Sequence, residues 1–163
     1  MTAGGEELDA AAIAEHLRAT FLLTPLHKLL DLRFLPTDEG VVVEMPVSEA
    51  AFNQTGNLHG GAIATLIDVA CGSTAARAST FEPGRNTLVT ADLHVRYLGR
   101  PKGDVVRAEA RVMRAGRQLV VVECRVVDPL GNVIAFADFS AMVVPLRASL
   151  RPTEGADPRA PDL

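Results

Sequence analysis

The residue best suited to chemistry is Asp68, the one acidic side chain in the run GGAIATLIDVACGSTAA from Gly60 to Ala76. A run that is apolar or small throughout is typical of a buried helix. On a helical wheel the neighbours of Asp68 are all small, namely Gly61, Ala64, Thr65, Cys71, Gly72 and Ala75. A carboxylate on such a packed face is costly unless it is hydrogen-bonded. We interpret Asp68 as a catalytic carboxylate, and an aspartate satisfied by nearby hydroxyls is the structural alternative.

The segment before this run, FNQTGNLHGG, has the composition of an oxyanion hole. Gly60 and Gly61 begin the predicted helix, where unpaired backbone N–H groups point beyond the terminus. Their missing side chains let a ligand oxygen approach closely. With Asn53 and His59 beside them, these groups could polarise a carbonyl. An ordinary glycine-rich loop with an asparagine cap is the structural alternative.

The spacing between the two features predicts an oligomer. Gly60 and Asp68 are eight residues apart, which is about 12 Å along one helix. That distance is too long for both to touch one reacting group. If both act on the same carbonyl, Asp68 must come from a second chain, so the sequence predicts at least a dimer with two equivalent sites.

The elements that position these residues follow from the sequence pattern. A helix is predicted over residues 59–79, and DLRFLP and VVVEMPV form a predicted hairpin with Gly40 in the turn. Residues 87–98 alternate, with Val89, Ala91, Leu93, Val95 and Tyr97 on one face and Thr90, Asp92, His94 and Arg96 on the other. Three further runs follow, DVVRAEARVMR, QLVVVECRVVD and VIAFADFSAMVVP. This order predicts an α+β fold with an antiparallel sheet of about six strands packed on the helix.

The length of 163 residues predicts one domain with short terminal segments. We expect an N-terminal segment over residues 1–24, disordered at 1–5 and containing an amphipathic helix over 6–22. The domain itself is predicted over 25–146. The proline-rich and charged end, residues 147–163, is predicted to be a disordered tail.

Composition excludes several classes of function. Sixteen basic against twenty acidic residues give a net charge of −4, which argues against nucleic acid or anionic membranes as partners. Six Phe, one Tyr and no Trp offer no platform for stacking bases. Cys71 and Cys124 have no metal-ligand spacing and are predicted to be buried free thiols, so no metal is expected. The acidic N-terminus and the lack of a long apolar run predict a cytoplasmic protein.

Three stretches together resemble the hotdog-fold thioesterase superfamily, most closely its phenylacetic-acid-pathway (PaaI-like) branch. They are NQTGNLHGGAIATLIDVACG, VTADLHVRYLGRPKGD and GRQLVVVECRVVDPLGNVIAFADFSAMV, and the match covers about residues 30–145. The resemblance implies a long helix wrapped by an antiparallel sheet, assembled as a dimer or a dimer of dimers. It also implies hydrolysis of acyl-CoA thioesters with no cofactor, since coenzyme A is part of the substrate.

The resemblance also implies roles for single residues. Asp68 takes the place of the family's catalytic acid, and Gly60 that of the backbone donor to the thioester carbonyl. His59 and Asn53 flank this donor, and Thr90 falls where a hydroxyl helps to hold the attacking water. Asp68 would then deprotonate that water or attack directly to give a mixed anhydride.

The phosphates of coenzyme A need cations, and the candidates are Arg96, Arg100 and Lys102, with Gly61 as a further binding residue. A solvated strand end is the structural alternative for the three basic residues, and His94 is interpreted as a surface residue. Two other functions remain open. One is a non-catalytic acyl-CoA binding or sensor module, which would not need Asp68. The other is a hydratase or dehydratase that uses a histidine with a carboxylate, for which His59 is the candidate.

Overall fold

The computed structural model describes Ala19, Phe21, residues 23–37 and residues 41–146. The predicted turn at Gly40 and the predicted disordered segments 1–5 and 147–163 lie outside these residues. Of the helix predicted over 6–22, only Ala19 and Phe21 are described, and both are helical.

Beyond the helical residues Ala19, Phe21 and Leu23, the described chain forms two helices and six strands. In chain order they are α1 (Pro25–Leu29), β1 (Arg33–Pro36), β2 (Val41–Pro46), a 3₁₀ turn (Glu49–Ala51), α2 (Gly60–Arg77), β3 (Asn86–Tyr97), β4 (Val105–Ala115), β5 (Leu119–Val127) and β6 (Val133–Pro145). This confirms the predicted α+β class and six strands. The helix predicted over 59–79 begins one residue and ends two residues inside those limits.

The six strands form one antiparallel sheet in the order β1-β2-β4-β5-β6-β3. The chain leaves β2, crosses the sheet as α2 and returns as β3 on the far edge. Helix α2 contacts β2, β3, β4, β5 and β6. The helix is therefore central, and β3 is left as an edge strand.

The core lies between α2 and one face of the sheet. Leu66 and Ile67 on the helix are fully buried, as are Val43, Val122 and Phe139 on the strands. Burying an aliphatic side chain of this size contributes about 1.5–3 kcal/mol. The outer face of the sheet is polar instead, with cross-strand ion pairs that include Arg107 with Glu44, Arg111 with Glu123 and Arg125 with Glu109.

The prediction for the faces of β3 is wrong, and the error affects the candidate site. Simple alternation of side chains predicted that Thr90 and Leu93 lie on different faces of the strand. In the structure Thr90 pairs with Ala141 and Asp92 with Ser140, which leaves Ala91 as an extra residue. Such a β-bulge reverses the alternation of the side chains that follow it.

The bulge places Thr90 on the helix-facing side of the strand. Directly paired residues of antiparallel strands lie on the same face. The partners of Thr90, Leu93, Val95 and Tyr97 are Ala141, Phe139, Ala137 and Ala135, all buried. Val89 and Ala91, predicted to share the face of Leu93, are exposed. His94 and Arg96 lie on the outer face, so His94 does not share the face of Thr90.

The two cysteines are buried free thiols, as predicted. A hydrogen bond with Cys124, together with burial, raises the pKa of the Cys71 thiol. Both therefore behave as core residues.

Candidate active site

Asp68 and Thr90 form the centre of the candidate site. The Thr90 hydroxyl donates a hydrogen bond to Oδ1 of Asp68 at 2.8 Å. This contact joins the middle of α2 to the bulge of β3 across 22 residues of sequence. Among the described residues no donor binds Oδ2 of Asp68, so this oxygen is available to a water or a ligand. The hydroxyl expected as the structural alternative is present, but it satisfies only one carboxylate oxygen.

A cavity of about 310 Å³ opens beside this pair and includes both residues in its lining. Its apolar wall contains Phe21, Val69, Phe81 and Leu88. This volume is at the lower end for pockets that bury a small organic ligand. The rest of the lining is polar and includes His27, Ser73 and Thr87. The carboxylate thus borders a space with both apolar and polar walls that is large enough for part of a substrate.

The second cluster lies at the N-terminus of α2, where His59 is the N-cap. Its Nδ1 accepts a hydrogen bond from the Gly61 N–H at 2.8 Å, so Nδ1 carries no proton in this arrangement. The Gly61 N–H is therefore occupied. The Gly60 N–H has no acceptor within the described part of the chain. Of the two glycines predicted to bind substrate, Gly60 alone keeps an available backbone donor.

Tyr97 completes this cluster, although no sequence motif assigned it a role. Its hydroxyl donates a hydrogen bond to the Gly60 carbonyl at 2.9 Å. A Cβ on Gly60 would meet the ring and hydroxyl of Tyr97 at 3.4 Å. The two residues are 37 positions apart, so only the tertiary fold reveals the contact. Its one sequence signal was its place in the alternating run, on the same face as Leu93 and Val95.

Asn53 organises the loop that leads into α2. Its Oδ1 accepts hydrogen bonds from the backbone and hydroxyl of Thr55 at 2.9 and 2.8 Å and from the Asn57 N–H at 3.2 Å. The loop is also closed by the His59 N–H, which donates to the Ala51 carbonyl at 2.7 Å. The structure therefore gives the Asn53 carbonyl oxygen a local role in holding the entry to the helix.

The two clusters are separate within one chain. Because α2 is continuous from Gly60 to Arg77, about 12 Å of helix separates Gly60 from Asp68. The structure brings Asp68 to Thr90, and Gly60 to His59 and Tyr97. It does not bring the two groups together in one subunit.

The predicted cations lie at the Tyr97 end of β3 and in the loop that follows it. Arg96 pairs with Asp138 at 3.3 Å on the outer face of the sheet. Arg100 and Lys102 are exposed in the loop between β3 and β4. The Lys102 N–H donates to Oδ2 of the buried Asp128 at 2.9 Å, which ties this loop to the β5–β6 turn.

Asp128 is held by an unusual number of donors. The Asn132 side chain, and then the backbone N–H groups of Lys102, Asn132 and Leu130, lower the pKa of Asp128 to about 2, although burial opposes this effect. The carboxylate therefore stays ionised at neutral pH and anchors the loop that carries Arg100 and Lys102.

Two features are not found in the described part of the chain. Nowhere in it do three or more His, Cys, Asp or Glu residues form a group that could bind a metal ion. Among the helices of the same residues, none has the length and apolar character needed to cross a membrane.

Comparison with known proteins identifies the family. A family model described as the thioesterase superfamily matches residues 55–135. A candidate esterase of Saccharolobus solfataricus is 30% identical over 113 residues, which cover 69% of this chain and 78% of that protein. The chain belongs to the thioesterase superfamily. A candidate esterase of Halobacterium salinarum is 43% identical over 74 residues, or 45% of this chain and 48% of that protein. The chain thus matches about half the length of this superfamily relative.

Solved structures of other proteins share the fold. A mutant thioesterase of Pseudomonas aeruginosa has a TM-score of 0.73 and 26% identity, covering 81% of this chain and 94% of that one. A Bacillus halodurans protein solved with CoA has a TM-score of 0.67 and 27% identity over 91% and 98% of the two chains. The PaaI protein of E. coli has a TM-score of 0.71 over 83% and 95%, and at 21% identity it bears on the fold alone. The hotdog architecture expected from the sequence is confirmed.

Proposed function

We propose that this superfamily member hydrolyses acyl-CoA thioesters at a site shared between two copies of the chain. The observation that carries the proposal is the Asp68 carboxylate, held through one oxygen by Thr90 and bordering a cavity that has an apolar wall. Membership of the superfamily and the CoA bound to the Bacillus halodurans protein support a CoA thioester as the substrate. Coenzyme A belongs to the substrate, and the reaction needs no other cofactor.

The Gly60 N–H is the proposed donor to the thioester carbonyl. His59 occupies the neighbouring Gly61 N–H, and Tyr97 binds the Gly60 carbonyl, so the local backbone is held while the Gly60 N–H stays available. A backbone donor at a helix N-terminus is suited to the negative charge that develops on the oxygen.

Asp68 is the proposed base or nucleophile. As a base, its free Oδ2 takes a proton from a water that attacks the carbonyl carbon, the C–S bond breaks, and the proton passes to the CoA thiolate. As a nucleophile, the same oxygen forms a mixed anhydride and releases the thiolate, and water then hydrolyses the anhydride. Thr90 holds the carboxylate in both routes.

The site requires a dimer, and the edge of β3 is its proposed interface. The strand is twelve residues long and has a partner strand on one side alone within the described chain. Long free edges are usually covered. Antiparallel two-fold pairing of β3 would place the Thr90 end of one strand beside the Tyr97 end of the other. Asp68 would then approach the partner subunit's Gly60.

The proposal extends to the assembly, the cations that bind CoA and the cellular compartment. The resemblance to the PaaI-like branch supports association of two dimers. Arg100 and Lys102 are proposed to bind CoA phosphates, with Arg96 contributing if it leaves Asp138. The cytoplasm is the proposed compartment, because buried free thiols suit a reducing environment.

Release of CoA from a panel of acyl-CoAs tests the function. We expect the wild type to release CoA and Asp68→Ala and Asp68→Asn to lower kcat by about 10²–10⁴-fold, because the base or nucleophile is lost. Asp31→Asn is the control, since Asp31 is exposed with a φ of 48° that asparagine tolerates. A wild type that releases no CoA, or an Asp68→Ala variant as fast as wild type, would contradict the proposal.

The same panel separates the two alternatives. Addition of water to an enoyl-CoA without CoA release would indicate a hydratase, which needs a histidine–carboxylate pair. Within one subunit, no carboxylate of the described residues pairs with His59. Binding of acyl-CoA without any turnover would indicate a sensor module.

A further inference from the structure

Gly72 is a glycine in the interior of α2, four residues after Asp68 and on the same face of the helix. A glycine in a helix interior is less favourable than alanine because it loses more conformational freedom. Its presence in an eighteen-residue helix therefore needs a reason.

Neither backbone conformation nor packing supplies that reason. Gly72 does not adopt a left-handed φ, and a Cβ built on it meets no atom within 4 Å. Gly103 differs on both counts, because its φ is +113° and a Cβ built on it would meet the Pro129 ring at 3.0 Å. The missing side chain of Gly72 leaves open space, and that space is part of the cavity beside Asp68.

The cavity extends from Asp68 along the helix. Gly72 and Ala76 line it one and two turns beyond the carboxylate, about 6 and 12 Å away along the axis. Phe81, in the segment that follows α2, and Leu88 on β3 also line the cavity. A group held at Asp68 and pointing along this channel must pass over Gly72.

We propose that Gly72 determines which acyl groups the enzyme accepts, by leaving room for apolar acyl chains longer than acetyl to lie along α2. This rests on the proposed thioesterase function. The thioester carbonyl is at Asp68, and the acyl group crosses Gly72. The far end of the acyl group contacts the apolar wall that includes Phe81. Side chains added at position 72 therefore exclude long and arylalkyl acyl groups and spare short ones.

The test compares kcat/KM across acetyl-, butyryl-, hexanoyl-, octanoyl- and phenylacetyl-CoA for wild type, Gly72→Ala and Gly72→Val. We expect Gly72→Val to lower kcat/KM for octanoyl- and phenylacetyl-CoA at least about tenfold, as a few misplaced methyl groups do in an apolar pocket. We expect kcat/KM for the two shortest substrates to change by less than about threefold. Ala78→Val is the matched control, because Ala78 is exposed at the end of the helix and does not line the cavity. We expect the kcat/KM values of Ala78→Val to match those of wild type for every substrate.

Binding of non-hydrolysable acyl-CoA thioethers of the same lengths, measured by calorimetry, separates this proposal from the function itself. A wild type that binds the series but hydrolyses no thioester would overturn the proposed function, while the effect of Gly72→Val on affinity still reports the cavity. Equal losses at every length, or none at any, would overturn the role of Gly72. Thermal melting checks folding, and if Gly72→Val does not fold, Gly72→Ala must show the same length dependence to a smaller extent.

Discussion

At the scale of single residues, the candidate chemistry depends on hydrogen bonds that leave selected atoms free. Thr90 donates a hydrogen bond to one oxygen of Asp68, and the other oxygen stays available. His59 accepts a hydrogen bond from the Gly61 N–H, and the Gly60 N–H stays available. In each case a neighbouring group orients the functional atom without occupying it, which is how a site is prepared before substrate arrives.

Thr90→Val tests the first of these contacts. Valine keeps the shape of the side chain but removes the hydroxyl, and a hydrogen bond to a charged group contributes about 1.5–3 kcal/mol. We expect kcat for CoA release to fall about tenfold or more, and Thr90→Ser to retain most of the activity. Equal rates for the valine variant and wild type would show that Thr90 does not hold Asp68 during turnover.

Tyr97→Phe tests the positioning of Gly60. Phenylalanine keeps the ring against the glycine and loses the hydroxyl that binds the Gly60 carbonyl. Since a neutral hydrogen bond contributes about 1 kcal/mol, we expect kcat to fall about fivefold with little change in KM or Tm. A matching loss of Tm with unchanged kcat would instead assign Tyr97 a purely structural role.

At the scale of elements, the bulge in β3 decides which residues face the helix. A catalytic role for Asp68 was predicted because it is the one acid in an apolar run. The limits of α2 were predicted from the composition of the same run. The face of Thr90 was predicted wrongly, because the extra residue at Ala91 is set by pairing with β6 and leaves no mark on local alternation. Tyr97 was missed for a related reason, since its partner at Gly60 is distant in sequence.

The turn around Asp128 gives a prediction about pH. Its pKa in the folded chain is about 2, below the ordinary 3.8. A lowered pKa means that the carboxylate stabilises the fold above the ordinary value and loses this effect as pH falls through the folded value. We expect Asp128→Ala to lower the Tm at pH 7.

Melting curves between pH 7 and 2 provide the check on this turn. The difference in Tm between wild type and Asp128→Ala should stay constant down to about pH 4 and shrink between pH 4 and 2. A difference that does not depend on pH would mean that the carboxylate charge is not what holds the turn to Lys102.

In the molecule as a whole, we propose that one subunit supplies only half of each site. The described chain keeps Asp68 with Thr90 and Gly60 with Tyr97 at separate positions along α2. It also leaves the twelve-residue edge of β3 without a second partner strand. A two-fold dimer resolves both observations together.

Two variants, each of which removes one half of the site, test whether the site is shared. Gly60→Pro removes the backbone N–H at the first position of α2, where proline is well tolerated, and Gly60→Ala is its control because alanine keeps that N–H. The second variant is Asp68→Ala. Each alone should be nearly inactive.

Co-expression of the two variants then measures whether the site is shared. In a mixed dimer, the subunit with Asp68 and the subunit with the Gly60 N–H together form one intact site. With random pairing, half of the dimers are mixed and each has one of two sites, so we expect CoA release at about a quarter of the wild-type rate. Mixed dimers that show no activity above the separate variants would contradict the shared site.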